Sequence, residues 1–201
     1  MKHLVRRLMP VAIALALVSI TSTPPVSGQT TGTSRTARRP SVPPTQTPRL
    51  DAREFINRMG VAGLAEVELG KLASERAIDA DVKAFAQMMV RDHSRANDEL
   101  SKIASQLNLP MPTQLDPMHR ELADRLSKLK DAEFDREYMA AMVKGHEDVA
   151  GVLRSFTSAD RPIGTSGRAR GEQALMEWAM KTMPTVERHL ERARQIQQKL
   201  K

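Results

Sequence analysis

Residues 79–110, DADVKAFAQMMVRDHSRANDELSKIASQLNLP, carry the pattern that decides the fold. Ala86, Met89, His93, Ala96, Leu100, Ile103 and Leu107 recur at alternating steps of three and four. That spacing lines one stripe of an α-helix rather than one face of a strand. Asp79 supplies a side-chain cap at the start, and Pro110 with Pro112 stops the helix. A histidine therefore sits in the middle of an apolar stripe.

The same rhythm appears on both sides of this segment. Upstream, Phe55, Met59, Ala62, Glu66, Leu69 and Ala73 predict a helix from about Asp51 to Arg76 with Glu66 pointing inward. Glu68, rotated by about 200°, belongs to the wet face. The turn before Asp79 is so short that the first two helices must be antiparallel neighbours.

Downstream, Asp135, Met139, Met142, His146, Val149, Leu153 and Phe156 mark a helix over 131–156. A last helix carries Leu175, Trp178, Val186, Ala193, Ile196 and Leu200 inward, with His189 at the edge of that face. Pro184 removes a helical hydrogen bond and crowds the preceding turn, so a kink or break is expected there. A shorter amphipathic stretch, 116–129, lies in the connection between the second and third long helices. That connection is long enough to cross the bundle, and residues 158–170 form the loop before the last helix.

The expected fold class is therefore all-α, a four-helix bundle of residues 51–201 with a short extra helix in the crossover and a Pro-kinked last helix. A domain of this size buries about 70% of its unfolded surface and needs no staples. It has none to use: the chain contains no cysteine, hence no disulfide, thiolate metal site or lipid-anchor cysteine.

Ahead of the bundle the composition changes twice. Lys2, His3, Arg6 and Arg7 precede an apolar stretch from Leu8 to Ile20, and Val26-Ser27-Gly28 ends it with mostly small residues. Residues 1–28 read as a secretory signal, too short in its apolar part for a membrane span of about 20 residues. Residues 29–50 (QTTGTSRTARRPSVPPTQTPRL) hold too few large apolar side chains to fold and read as a linker. The protein is expected to be exported, in the periplasm or at the outer membrane.

Charge follows the same division. The chain carries a net +7, yet its first 50 residues hold seven Lys or Arg and no acid, so the bundle itself is neutral by formal count. With no basic stripe, one Trp and one Tyr, nucleic-acid binding is set aside. The arginines of 29–50 could make a weak contact with an anionic envelope surface; the plainer reading is a solvated linker, and oligomeric state is left open.

The polar residues inside the bundle are the candidates for chemistry. Glu66 lies about 18 Å from the first turn along its helix and His93 about 21 Å, nearly the same height, and His146 is also mid-bundle. Two readings stay open. Glu66 and His93 can be a buried hydrogen-bonded pair, the simpler account of interior polar groups. Alternatively Glu66, His93 and His146, with His189 as a further candidate, can hold Fe, Zn or Cu, metals that suit imidazole and carboxylate together. Asp92 or Asn97 could then orient the His93 ring.

Asp135 is too far from His146 to join such a site and suits the start of its own helix. The ten methionines beyond the leader invite a Cu(I) reading, but Met59, Met89, Met139 and Met142 lie on core stripes. No phosphate loop, nucleophile elbow or H-E-x-x-H motif occurs in the chain, and no catalytic residue is assigned.

Several of these residues also carry a family resemblance. Glu66-Val67-Glu68-Leu69-Gly70, Val82-Lys83 with Phe85-Ala86, Met89-Val90-Arg91-Asp92-His93 with Asn97, Phe134-Asp135 with Tyr138, His146, and Pro184 with His189-Leu190 occur here. In that order the chain resembles the bacterial family catalogued as domain of unknown function 4142, over about Asp51 to Leu200. The resemblance implies a ferritin-like bundle in exported proteins, with crossover topology and no established activity. A dinuclear carboxylate site would need a Glu three residues before a His on two helices. Here Val90, Val143 and Val186 occupy the positions before His93, His146 and His189.

The reading the sequence favours is a non-enzymatic, envelope-associated bundle acting in binding or stress tolerance. A metal-binding bundle with a mid-level Glu/His site is the alternative.

Overall fold

The computed structural model describes residues 50–158 and 167–201, with side chains from Arg170 onward in the second stretch. The leader, nearly all of the linker and most of the last loop lie outside the described residues. Among the described residues there are five helices: α1 (Ala52–Arg76), α2 (Ala80–Gln106), α3 (Pro117–Lys128), α4 (Asp131–Thr157) and α5 (Gly167–Lys199). The described residues contain no strand.

Aspartates start three of these helices. Asp51 accepts the Glu54 N–H at 2.8 Å, Asp79 those of Asp81 and Val82 at 2.8 and 3.1 Å, and Asp116 that of His119 at 2.8 Å. Each such cap stabilises its helix by about 1 kcal/mol. Asn108, in the left-handed region at φ 53°, turns the chain out of α2 before the prolines are reached. Helix α5 runs on through Pro184 as one helix and does not split there.

The long helices pack α1 on α2 and α4, and α5 on α2 and α4. Gly70 brings α1 close to α2: a Cβ there would stand 3.0 Å from the Ala86 carbonyl oxygen. Their directions follow from the core, which has two apolar clusters. One joins Leu69 and Ala73 late in α1, Val82, Phe85 and Met89 early in α2, Phe134 to Met142 early in α4, and Ala193 and Ile196 late in α5. The other joins Phe55 and Ile56, Leu100 and Ala104, Leu153 and Phe156, and Leu175 and Trp178. Hence α1 and α5 run one way and α2 and α4 the other.

Helix α2 thus ends at the opposite end of the bundle from the start of α4, and the connection 107–130 has to travel its length. Helix α3, within that connection, packs on α1 and α4.

Asp135 has a different task from the one its position suggested. It is fully buried, and its carboxylate accepts the N–H groups of Ile78 (3.3 Å) and Asp79 (2.8 Å) in the α1–α2 turn. Burial, the largest influence, raises its pKa against the lowering effect of those two hydrogen bonds. It therefore ties α4 to the start of α2 rather than completing its own helix.

Candidate metal centre

Between the two apolar clusters lies a polar layer, and each long helix changes cluster where it contributes to that layer. On α1, Met59 belongs to one cluster and Leu69 to the other, with Glu66 between them. His93 likewise separates Met89 from Leu100, His146 separates Met142 from Ala150, and His189 separates Val186 from Ala193. The three histidines come from three helices because α2 and α4 reach this level near mid-length and α5 about two-thirds of the way along.

Their rings form a nearly equilateral triangle. Centroids are 5.6 Å apart for His93 and His146, 5.6 Å for His93 and His189, and 5.5 Å for His146 and His189. Each ring offers one nitrogen, and these nitrogens all lie within 4.8 Å of one another. His146 and His189 are buried and His93 is half-buried.

Two rings have their other nitrogen anchored. His146 Nδ1 is 2.8 Å from the Met142 carbonyl oxygen, and His189 Nε2 is 3.0 Å from Asp92 Oδ2. Carbonyl and carboxylate oxygens accept, so these nitrogens carry the protons and donate. The remaining nitrogens, His146 Nε2 and His189 Nδ1, are left with lone pairs. Both are buried without a hydrogen-bond partner, as is His93 Nε2.

Burial also sets the protonation. It pushes His93 down to about 3, helped by the neighbouring His146 and His189, and His146 down to about 4. His189 is lowered too, mainly by burial, with Asp92 acting in the opposite sense. At neutral pH all three rings are uncharged, the form in which imidazole binds a metal.

Glu66 stands beside His146, not in the triangle. Its Oε1 is 3.6 Å from His146 Nδ1, beyond hydrogen-bond range, and its Oε2 is buried and unpartnered. Burial raises its pKa to about 8, so at pH 7 it faces the neutral His146 mostly as a neutral acid and the contact is not an ion pair. A Cβ at position 145 would come within 3.2 Å of Oε1, so Gly145 leaves room for the carboxyl group.

Of the residues singled out in the sequence, the structure therefore brings His93 and His146 together with His189. It places Glu66 on the far side of His146, and its nearest imidazole is that of His146 rather than His93. Asp92 orients His189 instead of its chain neighbour His93. Asn97 stands against α1, where a Cβ on Gly63 would meet its Oδ1 at 2.0 Å. The signal for His189 was present: Val186, His189, Ala193 and Ile196 keep the three-four rhythm.

The donor set fits a metal ion. Nitrogen–metal bonds of about 2.1 Å place two nitrogens of a tetrahedral site about 3.4 Å apart. Closing a triangle of nitrogens from the 4.8 Å limit takes a shift of roughly 0.8 Å per ring. Unpartnered buried polar atoms otherwise cost about 1–3 kcal/mol each, and one ion would satisfy three of them.

Residues 37–196 match the family described as Domain of unknown function (DUF4142). The chain belongs to this family. A separate similarity, 30% identity over 123 residues, is to an alanine–tRNA ligase of Parafrankia sp. (strain EAN1pec). It covers 57% of this chain but 14% of that protein, too small a share to bring that protein's activity with it. No solved structure matches the chain at a significant level. No described helix is long and apolar enough to cross a membrane.

Proposed function

We propose that this member of the family is an exported, ferritin-like bundle that binds one divalent transition-metal ion through His93, His146 and His189. The observation that carries the reading is that His93, His146 and His189 each bring a nitrogen within 4.8 Å of the others, each ring holds a buried nitrogen without a partner, and two of the rings are held by Met142 and Asp92. A purely structural layer would be expected to pair these nitrogens with each other or with side chains. An all-nitrogen set without thiolate suits Zn2+ or Cu2+ among common divalent ions.

Export rests on the basic and apolar leader, and the ferritin-like description on the long crossover between α2 and α4. The role proposed is binding; no reaction is assigned.

Binding to the folded chain alone raises stability by RT ln(1 + [L]/Kd), about 2.7 kcal/mol at a hundredfold excess over Kd. For a domain of this size that is a rise in Tm of roughly 5–10 °C. The test is thermal unfolding of the mature chain with and without Zn2+. The rise should appear in the parent and vanish in His93→Ala and His146→Ala; no rise in the parent at millimolar Zn2+ overturns the reading.

A further inference from the structure

A cavity opens beside the histidine triangle, among the four long helices. Its polar wall comes from α2 (Asp92, His93, Asn97) and α5 (Trp178, Thr182, Thr185, His189), and Met59, Ala62 and Gly63 of α1, Ala96 of α2 and Val149 of α4 add apolar surface. His146 is not in its wall. Of the three rings, those of His93 and His189 thus line the space and that of His146 does not.

The cavity is small. It has about 30 Å³ of room for the centres of water-sized molecules, and one water needs about 10–15 Å³ on that measure. It holds two waters or one molecule of two or three heavy atoms.

Its wall holds one donor with nothing to donate to. Trp178 is 5% exposed and its Nε1–H is buried without an acceptor. The Asn97 amide and the hydroxyls of Thr182 and Thr185 can donate or accept, and Asp92 accepts the Nε2–H of His189. A buried indole N–H with nothing to donate to costs stability, and it points to a guest that accepts hydrogen bonds.

Three imidazoles bring no charge to offset a dication, so the ion keeps its attraction for an anion or a water oxygen. We infer that the His93–His189 edge of the metal site is an exchangeable coordination position, reached from this cavity by water or a small anion and closed to larger ligands. This rests on the metal-binding reading above.

The experiment uses the mature chain loaded with Co2+, whose visible bands report coordination. Azide should shift those bands saturably, and imidazole, too large for the cavity, should shift them at least tenfold less effectively at equal concentration. Trp178→Phe should weaken azide about threefold to tenfold, and Ala96→Leu should suppress the azide shift, each at an unchanged one Co2+ per chain. A one-to-one Co2+ complex that ignores azide, or that takes imidazole as readily, overturns the inference while leaving metal binding intact. If Trp178→Phe binds azide like the parent, the donor argument falls. Failure of the parent chain to bind Co2+ overturns both.

Discussion

His189 Nε2 donates to Asp92 Oδ2 at 3.0 Å between α5 and α2, and this one contact fixes which nitrogen of the ring carries the proton. With Nε2 protonated, Nδ1 keeps its lone pair, and the carboxylate makes that lone pair more basic. Carboxylates in this position typically contribute tenfold to a hundredfold to metal affinity. Asp92→Ala should weaken Zn2+ binding by that factor and preserve one site per chain, as read by competition with a chromophoric chelator. Unchanged affinity would show that the contact is structural only.

The layer should also destabilise the metal-free protein. His146→Leu removes a buried nitrogen that has no partner, and the Met142 carbonyl can keep its helical partner. The metal-free variant should unfold about 1 kcal/mol harder than the parent in urea, while losing its response to Zn2+. A variant less stable than the parent by a similar amount would mean that the imidazole is held for packing.

Stability of the metal-free chain should peak near pH 6.5. Below that value the unfolded chain binds protons that the buried histidines refuse down to about 3 for His93 and 4 for His146, so stability falls with acid. Glu66 acts in the opposite sense. Its pKa is raised from 4.5 to about 8, so the fold retains a proton that the unfolded chain has lost, and stability declines as pH rises between those values. Between about pH 4.5 and 6.5 the three histidines outweigh the one acid; from 6.5 to 8 Glu66 acts alone, with a decline of about 2 kcal/mol. Urea midpoints across pH 5–9 should show this maximum, and Glu66→Gln should flatten its alkaline side. A parent curve already flat from pH 6.5 to 8 would contradict the assignment.

Asp135 supplies a control at a distance from the metal layer. Asp135→Ala strips the Ile78 and Asp79 N–H groups of their acceptor in a partly buried turn, which should cost about 1–3 kcal/mol. Zn2+ affinity, measured well below the new Tm, should stay within twofold of the parent. A large loss of affinity would show that the end of the bundle and the histidine layer are coupled.

Much of this arrangement was legible in the sequence because helical stripes obey one period. The α1 and α2 stripes, the caps at Asp51 and Asp79 and the inward Glu66, His93 and His146 all follow from local spacing and side-chain chemistry. What lay beyond it depends on which helix faces which. Antiparallel packing of α2 on α5 is what pairs Asp92 with His189 and lifts His189 to the level of His93. The placement of Glu66 behind His146 depends on Gly145 and on a relative rotation of α1 and α4 that no single-helix pattern contains. Asp135 reads as a helix-start residue until the α1–α2 turn is seen packed over it.

If His93, His146 and His189 form one metal site, removing His189 must show in the Zn2+ stoichiometry and affinity of the mature chain at pH 7. One Zn2+ per parent chain is expected, with a loss of at least a hundredfold in affinity for His189→Ala. A parent that binds no Zn2+, or a variant that binds it as tightly as the parent, would contradict a three-histidine site.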